Sequence, residues 1–453
     1  MGARKKKWAK LPPDNTICQM SQYIKNLKVP IAIVGMGKSG DAAKRLLIAC
    51  GVSSENILTF DGKLDSANYS DASKLMSEGK PQTLVVSPGV PLAAPWIKDA
   101  QSKGIAITSE ISLACSCLST EKLIGVTGSV GKSTTVSLIQ AGLEAFSKTG
   151  FVGGNLGIPF ASYAADVVEK KRPVADWVVL ELSSYQLENC AGLQLDHSAI
   201  TYFTSNHLER YDSIEHYYQT KWNILGITRK TMLLNSEGGD LIEYSKGKTP
   251  TPQLKIISKN DSDLQSYQLQ KAQLIGQHNQ DNLALATALC REAGWPNSAI
   301  EGMKNFKGLS HRLENLGSIK GVRFINDSKA TAMDSVVIAA TAASDTLVSG
   351  GTLFQLLGGR DKNLPWEQLS TLSKLPRAEF VFFGECRQVA QTKSGLAGNS
   401  FARLDEAIEY VLSKVKSGDT VLLSPGGTSW DEFKSFEDRG DFFKRKVAEF
   451  STL

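Results

Sequence analysis

The chain has 453 residues, 42% of them hydrophobic and 21% charged, the proportions of an ordinary soluble globular protein of roughly two to four domains. Its formal charge of +5 is matched by Arg4, Lys5, Lys6, Lys7 and Lys10 alone, so the remainder is close to neutral and carries no basic footprint for nucleic acid. No uninterrupted apolar run of about 18 residues offers a membrane-spanning helix, and seven cysteines without a CxxC pair read as reduced thiols of a cytoplasmic protein.

The basic start reads as a solvated arm. Leu11-Pro12-Pro13-Asp14-Asn15 stands where a signal peptide would need an apolar core. Pro30-Ile31-Ala32-Ile33-Val34 then reads as a buried strand, residues 41–50 as a helix, and Ile57-Leu58-Thr59-Phe60 as a second strand ending at Asp61. Leu84-Val85-Val86 leads into the turn Ser87-Pro88-Gly89. This β-α-β order predicts a parallel sheet over a first block, residues 1–110.

A second block, residues 111–309, opens on the strand Lys122-Leu123-Ile124-Gly125-Val126 and a helix over residues 134–146. Trp177-Val178-Val179-Leu180-Glu181-Leu182 is another buried strand, and residues 279–293 read as a helix near the end of the block. A third block, residues 310–453, restarts the alternation with strands ending at Asn326-Asp327, Gly358-Gly359-Arg360, Gly384 and Ser424-Pro425-Gly426-Gly427. The fold class predicted is α/β, in three domains: Rossmann-like, a central parallel sheet with a phosphate loop, and Rossmann-like again. Ligands of open parallel sheets bind beyond the carboxyl ends of the strands, where these polar clusters fall.

Two glycine-rich loops of different type carry the chemistry. Gly35, Gly37 and Gly40 match GxGxxG after a strand, with Asp61 about 20 residues on, where an acid for a ribose is expected. Such a loop binds a diphosphate through backbone N–H groups and a helix N-terminus. It fits a nicotinamide dinucleotide, another nucleoside diphosphate, or a tight turn needing small residues. The second loop, Thr127-Gly128-Ser129-Val130-Gly131-Lys132-Ser133-Thr134, has the shorter TGxxGKST form, since Val126 stands where the longer motif has glycine. Gly128 and Gly131 let amides turn toward phosphate, Lys132 reaches β and γ phosphates, and Ser133 offers a magnesium ligand, so ATP is the expected nucleotide.

Glu181, closing a buried apolar strand, is the expected metal carboxylate, because buried glutamates are rare unless paired or metal-bound. His207, after the run Ala199-Ile200-Thr201-Tyr202-Phe203, is a candidate for a metal or phosphate role, against the commoner structural histidine.

Taken in order, these segments resemble the Mur ligases of peptidoglycan synthesis. The resemblance is carried by residues 127–134, 153–157, 180–188 and 276–282, by His311-Arg312, and by residues 326–331, 358–362 and 423–440. It implies a UDP-sugar in the first domain, ATP in the second and an amino acid in the third. The nearest branch adds D-glutamate to the carboxylate of UDP-N-acetylmuramoyl-L-alanine through an acyl phosphate. The first loop then holds UDP, with Gly37, Ser39, Gly40, Asp61, Ser87, Gly89, Asn155 and Gln186 toward the sugar nucleotide.

The resemblance assigns Gly128 to Thr134 (Ser129, Val130, Gly131, Lys132 and Ser133 between them), with Asn279, Asn282, Arg312 and Asp327, to ATP. Lys132, Glu181, His207 and Lys221 become catalytic. Two magnesium ions are implied, held by Ser133, Glu181, His207 and Lys221 as a carbamate. Lys329, Lys362, Ser429 and Phe436 fall to D-glutamate. Asn206 departs from the aspartate usual before the histidine. A monomer without nucleic-acid or membrane partners is expected, and catalysis should require the second and third blocks to meet. A sister ligase using another amino acid or folate, a nicotinamide dehydrogenase, and a nucleotide-binding scaffold are the alternatives. The last two leave Lys132, Glu181 and Lys221 without a task.

Overall fold

The computed structural model describes residues 22–146, 149–204, 210–248, 253–274, 276–331, 333–362 and 364–452. The chain forms two compact units, residues 1–267 with 281–303, and residues 268–280 with 304–453.

The larger unit holds two parallel sheets. The first joins β1 (Ile31–Val34), β2 (Ile57–Phe60), β3 (Thr83–Val86) and β4 (Ala106–Thr108) in the order β2-β1-β3-β4. The second joins β5 (Lys122–Thr127), β6 (Gly150–Gly154), β7 (Trp177–Glu181), β8 (Leu195–Ile200), β9 (Thr228–Asn235) and β10 (Gln253–Ile257) in the order β10-β9-β8-β5-β7-β6. Every residue of β1, β3 and β7 is buried, which explains why these strands read as continuous apolar runs. In both sheets the strand order reverses beside the strand that carries a glycine loop: at β1 in the first, and at β5, between β7 and β8, in the second. Loops at such switch points open into a crevice.

The two sheets share one core. Ala42, Leu46 and Leu47 of the helix Lys38–Ala49 pack in a cluster with Ile111, Phe160, Tyr163 and Ala164 from the next block. Outside that core, Arg45 is paired to both Asp166 and Glu169.

The smaller unit is built on β11 (Glu314–Ile319), β12 (Val322–Asn326), β13 (Leu353–Gly358), β14 (Ala378–Phe383), β15 (Gly398–Phe401) and β16 (Thr420–Gly426), ordered β11-β12-β16-β13-β14-β15. All neighbours are parallel except β11 and β12, which form an antiparallel pair with an irregularity between Asn315 and Gly317. Strand β16 inserts between β12 and β13, bringing Asn326, Gly358 and Ser424 to one edge. The α/β class follows expectation. The helices after the two glycine loops begin earlier than predicted, at Lys38 and Lys132, because loop glycines occupy their N-cap positions.

One buried acid sits where the two sheets of the larger unit share their core. Glu110 is 1% exposed, accepts a hydrogen bond from the Ala161 N–H at 2.9 Å through Oε2, and has no hydrogen-bond partner for Oε1 among the described residues. Burial pushes its carboxyl up to about 7 from an ordinary 4.5, against the pull of the Ala161 N–H. Its ionisation therefore opposes folding: the group costs nothing below pH 4.5, and the cost grows as pH rises to about 7. Glu110→Gln retains an acceptor for Ala161. Urea unfolding should show the wild type losing stability relative to this variant across that window, by on the order of 3 kcal/mol. Parallel pH profiles would contradict the assignment.

Candidate active site

The first glycine loop forms one wall of an open groove of about 570 Å³. Gly37, Ser39, Asp61, Ser87, Gly89, Asn155 and Gln186 all line it, so seven of the eight residues assigned to the sugar nucleotide converge. The eighth, Gly40, works behind the wall. A Cβ there would lie 2.1 Å from the Gly35 carbonyl oxygen, and only glycine allows the helix to approach so closely. Asp61 accepts from the N–H groups of Met36 and Lys63, both at 2.9 Å, and these bonds hold its carboxyl below the ordinary range. Its charge thus braces the loop. Ser87 donates to the Gly35 carbonyl at 2.7 Å, tying the turn after β3 to the same loop.

The second loop leaves β5 and enters the helix Lys132–Ala145. Gly128 has φ 146° and Gly131 φ 89°; a Cβ on either would strike Thr201 Oγ1 or Asn282 Oδ1. The loop is pinned from β8's end: Ser129 N–H donates to the Tyr202 carbonyl at 2.7 Å, Ser129 Oγ donates to the Thr204 carbonyl at 2.9 Å, and the Thr201 hydroxyl bonds the Val130 carbonyl. The Lys132 ammonium folds back onto the Gly128 carbonyl at 2.7 Å and the Ser129 carbonyl at 3.2 Å.

Lys221, from the helix Ile214–Trp222, reaches the same carbonyl. Its Nζ donates to Gly128 O at 2.9 Å, lies 4.7 Å from the centre of the Tyr217 ring, and the residue is 2% exposed. Burial, and then the neighbouring Lys132 ammonium, hold this amine well below its ordinary value, against the pull of Glu181.

Glu181 closes β7. Oε1 accepts from Asn155 Nδ2 at 2.7 Å, and the Glu181 carbonyl accepts from the Asn155 N–H at 2.9 Å. Oε2 is buried with no hydrogen-bond partner among the described residues. Such an oxygen is costly unless something cationic completes it. The donor set therefore fits a divalent ion, with Ser133 on the loop, Glu181 Oε2 at the strand end, and Lys221 as an amine whose ammonium form is disfavoured and which could become an anionic carbamate. No cluster of three histidine, cysteine or acidic residues suited to a metal occurs among the described residues, so phosphate oxygens would have to supply further ligands. Asn206 and His207 lie outside the described residues.

Asn279 and Asn282 both lie on the helix Gln277–Glu292 and are buried. Asn282 Oδ1 accepts from the Thr135 hydroxyl at 3.4 Å, beside Gly131. Within the smaller unit, Asp327 follows β12. It accepts from Ser424 Oγ at 2.9 Å and the Leu313 N–H at 3.1 Å, and burial still pushes it up to about 7. Arg312 is close enough to lower both Asp327 and His278, the latter held at about 4 chiefly by burial.

The residues assigned to D-glutamate stand at the carboxyl ends of this third sheet. Lys329 Nζ lies 5.4 Å from the Phe436 ring, and Lys362 Nζ lies 4.0 Å from the ring of Trp430, next to buried Ser429. Arg439, which is fully buried, locks this end. It donates from Nε to Ser328 Oγ at 3.0 Å, from Nη2 to the Ser328 carbonyl at 2.8 Å, and from Nη1 to the Gly427 carbonyl at 3.1 Å. Sequence reasoning passed over Arg439, Thr201 and Tyr217. The spacing of Tyr217 and Lys221, one helical turn apart, was the available signal for Tyr217. For Thr201 no local signal existed, since its role depends on β8 pairing with β5.

The sequence profile of the Mur ligase middle domain matches residues 126–290. The chain is 32% identical over 459 residues to the UDP-N-acetylmuramoylalanine--D-glutamate ligase of Myxococcus xanthus (strain DK1622), covering 92% of this chain and 97% of that protein. It is 32% identical over 451 residues to the ligase of the same name from Elusimicrobium minutum (strain Pei191), covering 91% and 96%. Among solved structures, the MurF ligase of Thermotoga maritima in complex with ADP superposes with a TM-score of 0.58 at 14% identity, covering 97% of this chain and 100% of that one. This last likeness concerns the fold.

The two glycines of the first loop make opposite predictions. Gly40→Ala forces a methyl group against the Gly35 carbonyl and should destabilise the larger unit by about 2 kcal/mol or more. At Gly37 an added Cβ would meet nothing within 4 Å, so alanine there should cost less than about 1 kcal/mol. Urea unfolding that ranks the two variants equally would contradict this packing.

Proposed function

This chain belongs to the Mur ligase family, and on that premise we propose that it is the ATP-dependent ligase that joins D-glutamate to the carboxylate of UDP-N-acetylmuramoyl-L-alanine. The observation that carries the chemistry is the convergence of Lys132, Lys221 and the unpaired Glu181 oxygen around the phosphate loop. The observation that carries the amino acid is the identity of the relatives, both named as D-glutamate ligases.

A carboxylate does not acylate an amine in water, because it is a resonance-stabilised anion with a poor leaving group. In the proposed reaction a carboxylate oxygen of the muramoyl-alanine attacks the γ-phosphorus of ATP. The bond to the β-γ bridging oxygen breaks and ADP leaves. The D-glutamate amine then adds to the acyl-phosphate carbon, gives up a proton, and phosphate departs with the former carboxylate oxygen as the amide closes. No covalent enzyme intermediate is formed. The chain's task is to position anions and offset their repulsion.

Lys132 is proposed to exchange its loop carbonyls for phosphate oxygens. The groove residues Gly37, Ser39, Ser87, Gly89, Asn155 and Gln186 are proposed to hold the uridine nucleotide and its muramoyl arm, with Asp61 bracing the loop. Asn279, Asn282, Arg312 and Asp327 are proposed for the rest of ATP, and Lys329, Lys362, Ser429 and Phe436 for D-glutamate. Magnesium, when bound by Ser133, Glu181 and carbamylated Lys221, supplies neutralisation of the triphosphate charge. His207 is kept as the proposed ligand of a second ion. Lys221 suits carbamylation because carbon dioxide adds only to a neutral amine, and its surroundings disfavour the ammonium.

The proposal divides the chain into a UDP domain over residues 1–110, an ATP domain over residues 111–309 and an amino-acid domain over residues 310–453, acting as a cytoplasmic monomer. No helix among the described residues is long and apolar enough to cross a membrane, and every described cysteine is a free thiol.

Phosphate release from ATP with UDP-N-acetylmuramoyl-L-alanine should require D-glutamate. Release with L-alanine or another amino acid in its place would favour a sister ligase. Lys221→Ala should lower kcat about a hundred- to a thousandfold, and acetate or formate should restore part of it by replacing the carbamate. Rescue absent at every concentration would count against that role.

A further inference from the structure

Arg210 is a cation that neither glycine loop uses, yet it is built into the wall of the groove. Its Nη1 donates to the Pro88 carbonyl at 2.9 Å, and its Nη2 donates to Glu188 Oε2 at 2.9 Å. Its guanidinium lies 3.9 Å from the centre of the Tyr185 ring. Only 10% of the side chain is exposed, against 18% for Glu188, whose second oxygen accepts from the Tyr211 hydroxyl at 2.6 Å.

Pro88 itself lines the groove together with Ser87 and Gly89, and Ser87 in turn holds the Gly35 carbonyl. Tyr185 precedes Gln186, which also lines it. Beside them is a small, partly open space of about 10 Å³, lined by Arg210, Glu110, Ser87, Gln186 and Asn189 among others. That is room for about one water. Packing therefore does not fill the junction, and the position of Pro88 relative to Gln186 depends on the polar ties through Arg210.

We propose that Arg210 is a positioning residue for the sugar-nucleotide site, clamping the turn of residues 87–90 to the segment of residues 185–188 and so setting the width of the groove. The inference rests on the reading that this groove takes the uridine nucleotide. Its planar, forked donor set matters as well as its charge: lysine could reach one acceptor, but could not bridge the carbonyl and the carboxylate while stacking on tyrosine.

The test compares steady-state constants for the wild type, Arg210→Lys, Glu188→Gln and Gly37→Trp. Arg210→Lys should raise KM for UDP-N-acetylmuramoyl-L-alanine about tenfold, the loss expected for a charge-assisted bond. KM for ATP and for D-glutamate should stay within about twofold. Glu188→Gln, which keeps an acceptor but removes the charge, should raise the same KM by less and stands in if the first variant fails to fold. Unchanged sugar-nucleotide KM in the Arg210 and Glu188 variants, or a uniform rise for all three substrates, overturns the clamp. Gly37→Trp reads the groove itself, since its side chain would project into open space. A KM unmoved by Gly37→Trp overturns the groove reading. A KM raised by Gly37→Trp but not by Arg210→Lys or Glu188→Gln overturns the clamp alone.

Discussion

Two amines share one carbonyl oxygen at the heart of the larger unit. Lys132 and Lys221 both donate to Gly128 O, at 2.7 and 2.9 Å. Two ammonium groups this close repel, and Lys221 is the more deeply buried, so it is the one driven toward the neutral amine. Glu181 stands near enough to pull the other way, yet one of its own oxygens is left buried without a hydrogen-bond partner. The arrangement is electrostatically incomplete. A cation beside the glutamate would complete it, and a magnesium-bound triphosphate brings one.

The backbone makes that arrangement possible. Gly128 and Gly131 adopt positive φ against Thr201 and Asn282. Gly154, also at positive φ, lets β6 end against the Glu181 carbonyl, which brings Asn155 to the carboxylate. In each case a side chain on the glycine would collide with an atom of the site. The same logic governs Gly40 behind the first loop. The geometry of the site and close packing are thus one constraint, satisfied by the same residues.

Much of this was legible in sequence because it is local. A glycine loop between an apolar run and a helix needs only neighbouring residues to be recognised, and Lys132, Ser133 and Glu181 fall on such boundaries. Continuous apolar runs marked β1, β3 and β7 because both of their faces are covered. Short or partly exposed strands such as β11 and β15 gave weak patterns, and the antiparallel pairing of β11 with β12 has no counterpart in a β-α-β reading. Lys221 looked like any helical lysine; only the family resemblance singled it out, and burial beside Gly128 supplies the physical reason. Arg210, Arg439 and Thr201 act across sequence separations of 122, 111 and 71 residues, where no local pattern can reveal them.

The central claim is that the oxygen acquiring the γ-phosphoryl group comes from the carboxylate of the sugar-nucleotide substrate. Labelling that carboxylate with oxygen-18 and analysing the inorganic phosphate by mass spectrometry tests it directly. One labelled oxygen should appear in each phosphate released as the amide forms. Unlabelled phosphate, with one labelled oxygen kept in the amide and the displaced one recovered in water or in the adenine nucleotide, would contradict the account.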